Sequence, residues 1–128
     1  MEAHFVTIPA DAFNRKDTKI IPVMVRYFLP EEGVKVKLLD FKSVPGETAA
    51  ILTDSLMCSL RDHQLTEKII AYCGDNCNTN FGGVKRNGKN NVFNRLKNEL
   101  GREIFGIGCG AHIVHNCIKL QLIFYLLK

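Results

Sequence analysis

No stretch of this sequence stays apolar for the roughly 18 residues that a membrane-spanning helix needs. The longest candidate, Leu120 to Leu127, is interrupted by Gln121 and ends almost at the last residue. No leader with a charged start and an apolar centre opens the chain, so a secreted protein is not expected. Five cysteines is an odd number, and their spacings do not form a disulfide framework, which points to free thiols in a reducing cytoplasmic or nuclear compartment. No internal repeat or low-complexity segment interrupts the pattern. An apolar share of 46% against 23% charged residues is that of an ordinary globular chain, so fibrous and disordered classes are excluded.

What remains is 128 residues, enough for a single domain with a sizeable core and too few for a second. Seventeen Lys and Arg against thirteen Asp and Glu give a formal charge of +4, which permits contact with nucleic acid without demanding it.

Phe5 to Ala10 is a short apolar run leading into Asp11, and Asn14 to Thr18 supplies turn formers before a second run, Ile20 to Phe28. Pro22 cannot donate to a ladder, so the second strand is expected to begin at Val23 or to carry a bulge at the proline. After a turn at Pro30 to Gly33, Val34, Val36 and Leu38 alternate with Lys35, Lys37 and Leu39, a half-buried strand whose outward lysines suit a sheet edge. Ala49, Leu52, Leu56 and Leu60 then recur at helical steps, ending near His63.

Lys68 to Cys73 returns to a strand that runs into Gly74, Asp75 and Asn76. A glycine-bearing polar loop follows, then a second amphipathic helix marked by Val92, Phe93, Leu96 and Leu100 and closed by Gly101. Glu103 to Gly108 forms a fifth strand. Ala111, Val114, Ile118 and Leu122 regain helical spacing, although the last two turns are apolar nearly all round and need a covering partner. The order βββαβαβα, an antiparallel meander followed by two crossover units, is that of an α/β RNase H-like fold. It predicts a mixed five-stranded sheet in the order 3-2-1-4-5, flanked by helices.

In that order the strand ending at Asp11 lies parallel and next to the strand ending at Asp75. Their carboxylates can converge, and hard oxygen ligands at adjacent strand ends suit Mg²⁺ or Mn²⁺ and the chemistry of phosphoryl transfer. The plainer alternative is that both aspartates are turn or cap residues. Lys85, Arg86 and Lys89 in the glycine-bearing loop could meet a phosphate chain, or could be a solvated loop. Cys109, His112, His115 and Cys117 are close in sequence, but a tetrahedral zinc site would also need Cys73 or Cys77. Helix packing is the expected role of these residues, and zinc is not an expected cofactor.

Four segments carry a resemblance: ADAFN from Ala10, the run from Pro22 to Thr48, CGDNCNTNFGG from Cys73 and GCGAHIVHN from Gly108. Together they resemble the catalytic domain of hAT-superfamily transposases, and more closely its domesticated, zinc-finger-associated relatives. The resemblance spans nearly the whole chain. It implies an RNase H-like domain with an Asp-Asp-Glu metal site, Asp11 matching the first acid and Asp75 the second, and Cys109 with His112 matching the family's CxxH element. The family's third acid follows a long helical insertion, at whose first helix this chain stops; Glu99 and Glu103 are not in the matching place. Ala10 and Phe13 also depart from the pattern, which usually has hydroxyl residues there.

The resulting expectation is a transposase-derived domain, truncated at the start of the insertion, that keeps affinity for DNA or a divalent metal without cleaving on its own. The alternative from the same residues is a nuclear protein-interaction module that uses the apolar segment Ile113 to Leu127 to bind a partner or to self-associate. A gene fragment without independent function is a third.

Overall fold

The computed structural model describes residues 3–9, 13–15, 18–75, 77–82 and 88–110. Among these residues six strands and three α-helices follow one another: β1 Val6–Pro9, β2 Phe13–Arg15, β3 Thr18–Leu29, β4 Gly33–Val44, α1 Ala49–Asp62, β5 Ile69–Gly74, α2 Asn78–Phe81, α3 Val92–Leu100 and β6 Phe105–Gly108. β1 and β2 lie along the same side of β3, one pairing with Arg26 and Tyr27 and the other with Thr18 to Ile20, so together they fill one position in the sheet. With that position counted once, the sheet is mixed and five-stranded, in the order 3-2-1-4-5. β4–β3–β1 is antiparallel and β1–β5–β6 is parallel, which is the RNase H-like arrangement. Among the described residues, no helix is long and apolar enough to cross a membrane.

The first three strand positions differ from the sequence expectation in instructive ways. Asn14 and Arg15 pair with Lys19 and Thr18, so Asn14 belongs to a strand and not to the turn expected there. β3 starts at Thr18, and Pro22 sits inside it opposite Phe41. Among the described residues, Pro22 has a ladder partner only on the β4 side, and a strand with one such neighbour tolerates a missing amide. The bulge falls just past the proline, where Val23 faces Asp40 and Met24 faces Leu38, leaving Leu39 as the extra residue. β4 is indeed an edge strand, but Val34, Val36 and Leu38 are the exposed residues and Lys35 is half-buried, the reverse of the expected facing. β6 begins at Phe105, two residues later than expected.

α1 forms where Thr48 caps it, its hydroxyl accepting from the Ile51 amide at 3.3 Å. Ala49, Thr53, Leu56, Met57 and Leu60 fall on its buried face, and the Thr53 hydroxyl donates to the Ala49 carbonyl at 2.7 Å, so burial leaves it satisfied. Gln64, at φ 57°, ends the helix region in a left-handed turn. α3 starts at Asn91, whose side chain accepts from the Asn94 amide at 2.9 Å, and stops at Gly101 in the left-handed region. Both helices cover the same face of the sheet, burying Val6, Ile8, Val23, Val25, Tyr72 and Leu96 in one core. A fully buried side chain such as Leu60 stabilises by roughly 1.5–3 kcal/mol.

Candidate functional site

β5 runs parallel to β1, with Pro9 opposite Cys73, so Asp75 lies two residues past the last described pair. Asp11 follows Pro9 by the same two positions, but it lies outside the described residues. At the end of β5 the Asp75 carboxylate accepts two hydrogen bonds at Oδ1, from the Asn80 amide at 2.8 Å and from the Cys77 backbone N–H at 3.3 Å. The second is an Asx turn, the plain role foreseen for this residue. It is compatible with ligation, since an ionised carboxylate offers about four acceptor positions.

Asn80 is itself positioned. Its carbonyl accepts the Tyr72 hydroxyl at 2.8 Å, and its amide also reaches the Asp75 carbonyl at 3.3 Å. Tyr72 is buried against Phe81 with ring centroids 5.7 Å apart. Burial pushes its phenol well above the ordinary range, and the nearby Cys77, Asp75 and Cys73 push it the same way, so Tyr72 stays protonated and donates. Tyr72, Asn80 and Asp75 thus form a chain of hydrogen bonds from the core to the strand end.

That strand end opens on a cavity of about 180 Å³, lined by Lys19, Glu47, Leu56, Tyr72, Asp75 and Asn80 among others. Lys19 on β3 forms an ion pair with Glu47, which immediately precedes the cap of α1. Sequence reasoning missed both. Nothing in the spacing marks them, because the contact between β3, the start of α1 and the end of β5 is made by the topology. The cavity therefore carries two carboxylates and one ammonium over an apolar floor.

Hard oxygen donors of this kind suit Mg²⁺ or Mn²⁺. Among the described residues, no group of three or more His, Cys, Asp or Glu is arranged to hold an ion. Asp75 and Glu47 are thus the right chemistry in an incomplete set. Of the two residues of the CxxH spacing, Cys109 follows β6 and donates its amide to the Gly74 carbonyl at 2.7 Å, whereas His112 lies outside the described residues. Burial, with Cys109 nearby, raises the Cys73 thiol above its ordinary value, and burial with an Asp75 hydrogen bond raises Cys77. Both are held as neutral thiols. Among the described residues, Cys58, Cys73 and Cys77 are free thiols.

Of the three loop cations, Lys89 is described and exposed, while Lys85 and Arg86 are outside the described residues. The neck of their loop is defined. A Cβ at Gly82 would lie 2.8 Å from the Gly88 Cα, so the two glycines let the backbone close on itself. Asn91 and Asn94 both donate to the Gly88 carbonyl, at 2.6 and 2.8 Å, and fix that neck to the start of α3.

No protein-family model matches this chain, and no characterised protein matches it in sequence. A solved structure similar to it is the HTLV-2 integrase catalytic core domain in complex with magnesium, in a trimeric form. It is 17% identical, with 98% of this chain and 72% of that chain covered and a TM-score of 0.37. The RNase H-like fold stands on the strand order and the directions of pairing.

Proposed function

We propose that this chain is an RNase H-like domain of transposase descent, of the hAT type, that binds a divalent metal and nucleic-acid phosphates at the end of β5 and does not cleave alone. The observation that carries the reading is the Asp75 carboxylate, oriented by Asn80 and Cys77 at the mouth of a cavity on the β1 side of β5. Asp75, with Asp11 and with Glu47 across the cavity, would hold Mg²⁺ or Mn²⁺. When bound, such an ion supplies positive charge for a phosphate oxygen. Asn80 fixes the carboxylate, Lys19 adds a cation on the opposite wall, and Lys85, Arg86 and Lys89 approach the phosphate chain from the loop. Free cysteines fit a nuclear or cytoplasmic setting.

Paramagnetic broadening by Mn²⁺ tests this. Backbone amide signals of Asp75, Cys77 and Glu47 should broaden at sub-stoichiometric Mn²⁺, and Asp75→Asn should abolish the effect while leaving the rest of the spectrum in place. Incubation of the wild-type chain with DNA and Mn²⁺ should leave the strands intact. Cleavage that Asp75→Ala abolishes would make the domain a complete nuclease, and equal broadening in Asp75→Asn would remove the metal site.

A further inference from the structure

The cavity at the end of β5 has more in its lining than a metal ion needs. Part of that lining is apolar: Ile21 and Leu56 are buried, and Leu52 is half-buried. Another part is polar and sets a donor next to an acceptor, since the Lys19 ammonium donates to the Glu47 carboxylate. The Lys19 side chain is 15% exposed and that of Glu47 60%, so the ammonium is the more enclosed partner. The volume of about 180 Å³ limits what can enter. A cavity of roughly 150 Å³ holds one benzene ring, whereas sites for drug-sized ligands start at about 300 Å³. One six-membered ring with its substituents matches this volume, and a whole nucleotide exceeds it. A purely apolar ring would strip water from Lys19 and Glu47 without replacing its hydrogen bonds. A ring edged with a donor beside an acceptor pairs with both.

On the reading above that this end of β5 binds nucleic acid, we propose that the cavity takes one unpaired pyrimidine base of a single strand. Its ring lies against Ile21, Leu52 and Leu56, and its polar edge meets Lys19 and Glu47. Thymine and uracil present O4 as an acceptor beside N3–H as a donor, and cytosine presents its amino group beside N3 as an acceptor. Each therefore offers the ammonium an acceptor and the carboxylate a hydrogen. Glu47 has about four acceptor positions, enough for Lys19, a base hydrogen and an ion. A base within a duplex has this edge already paired, so the cavity selects a strand whose base is out of the stack. Asp75 lines the same cavity, which places the phosphate attached to a seated base close to the end of β5. The base needs no contribution from Ile113 to Leu127, which lie outside the described residues.

Fluorescence anisotropy with the full chain, at fixed salt and Mg²⁺, tests it on two labelled single strands of equal length. One is oligothymidylate, and the other is the same sugar-phosphate chain with abasic sugars in place of the thymidines. Both carry the same phosphates, so the loop cations and any bound metal contribute equally to each. The wild type should bind the thymidylate strand about tenfold more tightly, the scale on which one base held against protein side chains contributes. Backbone amide signals of Leu52, Leu56 and Thr79 should shift with thymidylate and stay in place with the abasic strand. Leu52→Phe, which fills the cavity, should bring the two affinities together. Equal wild-type affinity for both strands would overturn the base site and leave the phosphate contacts standing, whereas failure to bind either strand would remove both. A thymidylate preference with its shifts elsewhere on the protein would overturn the base site too. The wild-type comparison needs no variant, so it decides the matter even where Leu52→Phe does not fold.

Discussion

Asn80 satisfies three groups with one amide: its oxygen accepts the Tyr72 hydrogen bond, and its nitrogen donates to the Asp75 carboxylate and the Asp75 carbonyl. Asn80→Ala leaves the buried Tyr72 hydroxyl without this acceptor, which costs about 1–3 kcal/mol. Tyr72→Phe removes the donor together with its need for a partner and should cost about 1 kcal/mol. The double variant should therefore be less destabilised than the sum of the singles, a coupling that urea unfolding of the four proteins measures directly. Asp40 gives a second test, one of pH. The Phe41 amide, then the Ser59 hydroxyl and Lys42, hold its carboxyl below the ordinary value of 3.8. A lowered folded-state pKa stabilises the fold above the unfolded value and loses that contribution as pH falls through the folded value. Asp40→Asn should thus be less stable than wild type at neutral pH, and the two should converge in acid as pH falls through the lowered folded-state pKa.

Two glycines in the helix and strand around α3 test different physics. Gly101 ends α3 at φ 67°, and a Cβ there would meet nothing within 4 Å, so Gly101→Ala costs only the left-handed backbone, about 1–2 kcal/mol. Gly106 lies under two rings, and a Cβ would approach Phe81 and Phe93 at 3.0 Å. Gly106→Ala should cost about 1–3 kcal/mol by overpacking. Asparagine separates them: it tolerates the left-handed region at position 101 but only adds bulk at 106, so thermal melts should show Asn partly restoring the first site and worsening the second. These elements were also the most legible. α1 and α3 followed from apolar spacing, and the end of α3 from Gly101, signals that are local; the caps at Thr48 and Asn91 are local too but went unread. β4 was less so, because Leu39 bulges and moves Asp40 onto the core side, where it accepts from Ser59 at 3.0 Å. Alternation in Val34, Val36 and Leu38 told which residues share a face, not which face the helices cover. Asp75 was legible as a strand end, whereas Glu47 and Lys19 reached the same cavity through chain crossings that no local pattern records.

At the scale of the whole molecule the core of the described residues is continuous from Ala3 to Ile104, and the segment leading into β6 is bound back to it. The Arg102 guanidinium donates to the carbonyls of Thr66 and Ile69, tying the approach to β6 to the start of β5. A single core crossed in this way should unfold as one unit. The chain has no tryptophan, so the buried Tyr72 makes tyrosine fluorescence a useful probe of packing between β5 and α2. Urea curves followed by tyrosine emission and by far-ultraviolet dichroism should superimpose, and separate midpoints would divide the sheet into independently melting parts. Phe105 then reports on the outer face in the same experiment. Phe105 is 74% exposed on that face, so Phe105→Asp should move the midpoint of both curves together by no more than the equivalent of about 0.5 kcal/mol, as surface changes do, whereas a larger shift would mean that the ring is packed.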